Sequence, residues 1–327
     1  MALLKAALHH AAVALRRASS VVICAHVRPD GDAVGSVLGL TLALRSLGIA
    51  AIPTLADDRE PSKTYEWLPG FGLYTPAADL EPPAVFVALD TPVPERLGIA
   101  RDLAERAETL IVIDHHPDGV GYANIGVLDT SAAATGQLVW QLLEVLDIQP
   151  TAEIALCCYT ALLTDTGRFQ YQNTTSAALR DAAAMIDAGA DPSEVARLVY
   201  QSRSAGSLAL EALAMSRLSV VNGGHVAYTW LADDDFVSTG ALPEEAEFLP
   251  DAVRVLDDID VAMVLRARGD EVRVNLRAKT GFDVGAVARR FDGGGHHAAA
   301  GLTRFESGID SALHELLPLL PGGDLSS

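Results

Sequence analysis

The sequence predicts an α/β protein, with an N-terminal domain built on a parallel sheet and a smaller α+β domain after it. Three observations carry this. At 327 residues the chain is about twice the length of one compact domain. Half of it is apolar and only 20% is charged, enough for real cores and too apolar for disorder. In the first half, SVVICA (20–25), FVAL (86–89) and LIVI (110–113) are unbroken apolar runs of strand length rather than alternating ones, which marks strands covered on both faces.

The elements follow in order. After the first run a helical pattern spans 32–47 and stops at Gly48, and a strand is expected at 49–54. Helical stretches at 134–146, 152–163, 175–188 and 192–201 complete a first domain, residues 1–201. SRSAGS (202–207) has the composition of a linker or hinge. A second domain, 208–327, then reads as a helix (208–218), a strand (225–231), a hairpin and a helix (283–291). The hairpin pairs 261–267 with 272–278 around Gly269-Asp270.

Composition limits the partners. No apolar run approaches the roughly 18 residues that cross a bilayer, so no membrane role is expected. The N-terminal MALLKAALHHAAVALRR is too interrupted by charge for a signal peptide, and a cytoplasmic location is expected. Three cysteines, Cys24, Cys157 and Cys158, provide neither a disulfide framework nor a CxxC metal knuckle. The formal net charge is −19, which rules out a broad cationic track for long duplex DNA. Residues 261–300 are the exception, with seven basic side chains against four acidic ones, a local +3 suited to a small anion.

The chemistry collects at the ends of the expected strands. SVVICA runs into His26, Asp30 and Asp32, FVAL into Asp90, and LIVI into Asp114-His115-His116. Ligands bind beyond the carboxyl ends of strands in open parallel sheets, so these groups should share one crevice, and Asp165 after a helix could close over it. Each group alone has an ordinary structural use: an aspartate after a strand is commonly a helix cap, and Asp32 taken singly reads so. Asp90 before Thr-Pro is a normal turn residue. Together they are not ordinary, because so many carboxylates in one crevice repel unless cations neutralise them. Mixed carboxylate and imidazole donors suit Mn²⁺ best, with Mg²⁺, Co²⁺ or Fe²⁺ as substitutes.

His26-x-x-x-Asp30-x-Asp32, Asp90, Asp114-His115-His116 and Asp165 resemble the four motifs of the DHH phosphoesterases. FDGGGHHAAAG (291–301) resembles the glycine-rich GGGH motif of the DHH-associated domain, and TDTGRFQYQNTTSAALRDAA (164–183) is most similar to the NrnA-type oligoribonuclease/pAp phosphatase branch. The resemblance spans nearly the whole chain. It implies a two-metal site, with one ion on His26, Asp30 and Asp90 and the other on Asp32, Asp90, His115 and Asp165. It further implies that Asp114 orients its neighbours and that His116 meets the substrate phosphate. Substrate binding would fall to Gly293, Gly294, Gly295, His296 and Arg277. In the residues themselves, three glycines let a ligand approach backbone N–H groups closely. His297 stands where the family commonly has Lys or Arg, and Asp292 where Gly is frequent.

The function expected is metal-dependent cleavage of very short single-stranded oligonucleotides to mononucleotides from the 3′ end, with removal of the 3′-phosphate of pAp. The acidic bulk agrees, since a ligand of a few nucleotides needs a pocket rather than a track. Alternatives within the class are a cyclic or linear dinucleotide phosphodiesterase and a RecJ-like single-strand exonuclease. Outside it stands a nucleotide-binding sensor. A homodimer is implied by resemblance alone.

Overall fold

The computed structural model describes residues 2–58, 63–117, 119, 121–295, 297–305 and 308–323. The chain divides into two compact units, Met1–Gln201 and Ser202–Ser327.

The first unit holds a five-stranded parallel sheet in the order β2-β1-β3-β4-β5. Its strands are β1 (Val21–Cys24), β2 (Ala51–Pro53), β3 (Val85–Leu89), β4 (Thr109–Asp114) and β5 (Ile125–Leu128). The helices are α1 (Ala2–Arg17), α2 (Gly31–Ser46), α3 (Arg101–Glu105), α4 (Thr135–Val145), α5 (Ala152–Asp165), α6 (Ser176–Asp187) and α7 (Pro192–Tyr200). Both sheet faces are buried, which is why the strands read as unbroken apolar runs. Ile23, Val87 and Ile113 pack with Leu40, Leu138 and Leu162 on one face, and Val22, Phe86 and Val112 pack with Leu97 and Leu103 on the other.

Helices α2 and α5 lie antiparallel and unusually close. Gly31, Gly35 and Gly39 recur every four residues along α2, and a Cβ on Gly35 would stand 2.5 Å from the Cys157 carbonyl oxygen of α5. This contact brings the first turn of α2 beside the last turn of α5. Cys157 and Cys158 are buried core residues there.

The second unit is a six-stranded mixed sheet, β10-β11-β9-β8-β7-β6, in which only β7 and β8 run parallel. The strands are β6 (Ser219–Val221), β7 (Val226–Leu231), β8 (Val261–Arg268), β9 (Glu271–Ala278), β10 (Gly294–Gly295) and β11 (Ala299–Phe305). Among the described residues five α-helices accompany them: α8 (Ala205–Ser216), α9 (Asp233–Thr239), α10 (Leu249–Arg254), α11 (Val284–Arg289) and α12 (Ile309–Leu316). The hairpin is β8–β9, closed by Gly269-Asp270 with Arg268 opposite Glu271 and Gly269 at φ +54°.

Two expectations need correction. The segment 202–207 is not all linker: the Ser204 hydroxyl accepts from Ser207 N, so α8 starts at Ala205 instead of 208. Strands β5, β6, β10 and β11 lie outside the sequence expectations. IGVL is short and carries a glycine, while AAGLTRF opens on small residues that give little strand signal.

Candidate metal centre

Eight side chains named from the sequence converge in the first unit. His26 follows β1, Asp90 follows β3, and Asp114, which ends β4, leads into His115 and His116. Asp30 and Asp32 open α2, and Asp165 is the final residue of α5. The two acids of α2 have different structural duties from those the sequence suggests. Asp30 is the helix cap, accepting from Ala33 N, whereas Asp32 is buried and points at the start of α4.

The histidine tautomers follow from their neighbours. His26 Nδ1 donates to the Val27 carbonyl at 2.8 Å, which leaves Nε2 as the nitrogen facing the carboxylates; it lies 3.3 Å from Asp90 Oδ2 and 3.9 Å from Asp30 Oδ1. His115 Nδ1 donates to the Ala132 carbonyl. Its Nε2 lies 3.5 Å from Asp165 Oδ2, 3.6 Å from Asp90 Oδ1 and 3.7 Å from Asp32 Oδ2. His116 is turned the other way: Nδ1 faces Asp114 Oδ1 at 2.8 Å and Asp90 Oδ1 at 3.3 Å.

In the second unit, Gly294 and Gly295 pair with Gly301 and Ala300. Two of the three glycines serve that pairing rather than an open cradle. A Cβ on Gly293 would stand 2.4 Å from Gly301 O, and one on Gly295, at φ +129°, 2.5 Å from Ala299 O. Gly294 alone faces open space. Arg277 on β9 pairs in register with Ala299 and lies 3.6 Å from Asp251. His296 falls outside the described residues. Asp292 adopts φ +57°, a backbone conformation that glycine takes without cost.

Residues 20–162 match the DHH family, N-terminal domain, and residues 223–319 match the DHHA1 domain. A Thermus thermophilus protein named bifunctional oligoribonuclease and PAP phosphatase NrnA is 34% identical over 299 residues, covering 91% of this chain and 88% of that one. The chain belongs to the DHH family, in its NrnA branch. The Bacillus subtilis protein of the same name is 28% identical over 289 residues, with 86% of this chain and 88% of that one covered. An exopolyphosphatase-related protein from Bacteroides fragilis superposes with a TM-score of 0.88 at 24% identity, covering 95% of this chain and 94% of that one, and so shares the fold.

The donors of this DHH protein fit divalent cations. Ligand atoms about 2.1 Å from one ion stand roughly 3–4 Å apart. Three groups have one donor atom each within 4.8 Å of one another: His26, Asp30 and Asp90; Asp32, His115 and Asp165; and Asp90, His115 and His116. In the third, His116 Nδ1 is committed to Asp114. Histidines that give one N–H to a carbonyl and leave the other nitrogen facing carboxylates have the arrangement of metal ligands.

Electrostatics point the same way. Burial, with Asp90 and Asp165 adding repulsion, pushes the Asp32 carboxyl well above the usual range. Burial acts on Asp90 as well, but His116 and His26 outweigh it and hold that carboxyl well below the usual range. Burial disfavours a charged His116, yet Asp90 and Asp114 raise it well above an ordinary histidine.

Two contributors carry no sequence signal. The Thr135 hydroxyl donates to Asp90 Oδ1 at 3.0 Å, and its backbone N–H donates to Asp32 Oδ2 at 2.7 Å. The Asn173 carboxamide donates to the Asp165 carbonyl, to Asp165 Oδ2 and to the Ala133 carbonyl. Asn173 lies within the NrnA-like segment, but nothing in the residue string says what it holds.

Proposed function

We propose that this chain is a two-metal phosphoesterase that degrades oligonucleotides of a few nucleotides to mononucleotides from the 3′ end and removes the 3′-phosphate of pAp. The observation that carries the reading is the convergence of eight histidine and aspartate side chains at the strand and helix ends of a DHH protein. The 34%-identical NrnA relative, named for both activities, supports the substrate class.

His26, Asp30 and Asp90 would hold one ion, and Asp32, Asp90, His115 and Asp165 the other, with Mn²⁺ the best match to these donors. Bound divalent ions lower the pKa of water and polarise a phosphoryl oxygen. The remaining steps belong to the chain. Asp90 offers Oδ2 toward His26 and Oδ1 toward His115, and so serves both sets. Asp114 holds His116 through Nδ1, and with the imidazole charged the Nε2 proton is available to the departing ribose oxygen. On this reading Met1–Gln201 carries the reaction. The second unit holds the substrate through Arg277, Gly293, Gly294, Gly295 and His296, Gly294 being the glycine whose face is open to a ligand. A cytoplasmic site of action follows from the substrate; among the described residues no helix is long and apolar enough to cross a membrane.

The test is product analysis over time on RNA and DNA of two to about twenty-four nucleotides, labelled at either end, with pAp alongside. The Mn²⁺-loaded protein should exhaust the shortest chains first and release phosphate from pAp, and EDTA should stop both. If short RNA, short DNA and pAp all survive, the reading is wrong.

A further inference from the structure

Two of the three buried carboxylates of the centre, Asp32 and Asp90, meet at one residue. Asp32 Oδ1 accepts from Gly136 N at 2.8 Å and from Ser36 Oγ at 3.0 Å, while Oδ2 accepts from Thr135 N at 2.7 Å. A carboxylate oxygen has two lone pairs. Oδ1 is therefore fully used, and Asp32 retains one lone pair, on the oxygen that faces His115 Nε2. Asp90 is constrained similarly, because the Thr135 hydroxyl takes one lone pair of Oδ1, the oxygen that also faces His115 Nε2 and His116 Nδ1.

Thr135 is the first residue of α4 and is fully buried. Thr135 stands one residue past the N-cap, the position from which a threonine would turn its oxygen back to accept an N–H of the first turn. This hydroxyl donates instead to a carboxylate 45 residues away, and the N–H of the same residue donates to another 103 residues away. We infer that Thr135 is the positioning residue of the metal centre: it engages one oxygen of Asp32 and one of Asp90 and fixes which lone pairs remain for cations. The inference rests on the metal reading above. On this reading Thr135 acts through the two aspartates.

The test is calorimetric titration of Mn²⁺ into metal-stripped full-length protein without substrate, for the wild type, Thr135→Val and Thr135→Ser. Valine keeps the shape and the backbone N–H but removes the hydroxyl. Loss of such an outer partner should weaken Mn²⁺ binding about 10–100-fold, and serine, which restores the donor, should recover most of it. Should valine disturb the packing of α4, Thr135→Ser against Thr135→Ala repeats the comparison at equal backbone and nearly equal volume. Valine and alanine variants that bind Mn²⁺ as tightly as the wild type would overturn the assignment while leaving the metal centre standing. A wild type that binds no Mn²⁺ overturns the metal centre and this inference with it.

Discussion

Asp90 adopts φ +54°, a left-handed conformation that costs a non-glycine residue about 1–2 kcal/mol. The strain aims one carboxylate at three histidines, His26, His115 and His116. Asp90→Ala should abolish turnover and the response to Mn²⁺ together, whereas a pure nucleotide sensor would keep its nucleotide affinity, which equilibrium dialysis reads directly. His116 gives a pH signature. Its folded pKa is raised, so its stabilising charge is fully present below about pH 6.5, the unfolded value, and is lost as pH climbs through the raised value. In metal-stripped protein, the stability gap between wild type and His116→Gln should be widest below that point and narrow above it; a gap that grows with pH in urea melts would refute the pairing. The histidines and aspartates of the centre were legible because each lies a few residues past an apolar run, or just past a helix in the case of Asp165. Which of Asp30 and Asp32 caps α2 was not, since two acids two residues apart look alike until a second helix appears beside one of them.

The helix pair α2–α5 sets the spacing of the centre at the level of elements. Gly35→Ala would press a methyl group onto the Cys157 carbonyl, and overpacking of this kind costs about 1–3 kcal/mol. Because Asp32 and Asp165 ride on the two helices, the same change should also weaken Mn²⁺ binding, which a chelator competition measures. In the second unit the glycines should separate by role. Gly295→Ala should lower stability by about 1–3 kcal/mol through its backbone conformation. Gly294→Ala should stay within about 0.5 kcal/mol of the wild type and lose affinity for a short oligonucleotide instead. Equal effects of the two on stability would contradict the geometry. Strands β1, β3 and β4 declared themselves through unbroken apolarity. The glycine spacing in α2 was visible as letters, but its meaning required knowing that α5 lies against it.

At the scale of the molecule, the −19 charge is spread over a chain whose described metal-ligating clusters all fall in Met1–Gln201. Binding to the folded form alone at a hundredfold excess over Kd stabilises by about 2.7 kcal/mol, or roughly 5–10 °C for a unit of this size. Differential scanning calorimetry of the intact chain should therefore show Mn²⁺ raising, and EDTA lowering, the transition of the first unit, with the second unit indifferent. A melting profile unmoved by either reagent would mean that the carboxylates do not form a site. The α/β class and the β8–β9 hairpin of the second unit were readable from patterning. The point where the second unit begins was blurred, because Ser204-Ala205-Gly206-Ser207 has a linker's composition and a helix start's hydrogen bond.

One consequence follows for anyone seeking an inert version of this protein. Helix α4 begins after Ala134, which has no side-chain oxygen to offer, and its first N–H groups are satisfied by a carboxylate from the far side of the sequence. Replacing Asp32 would thus remove a proposed ligand and uncap a helix in one stroke, at about 0.5–2 kcal/mol for the lost cap. Its phenotype would exaggerate its share in the chemistry. Asp165, at the trailing end of its own helix, makes the cleaner knockout.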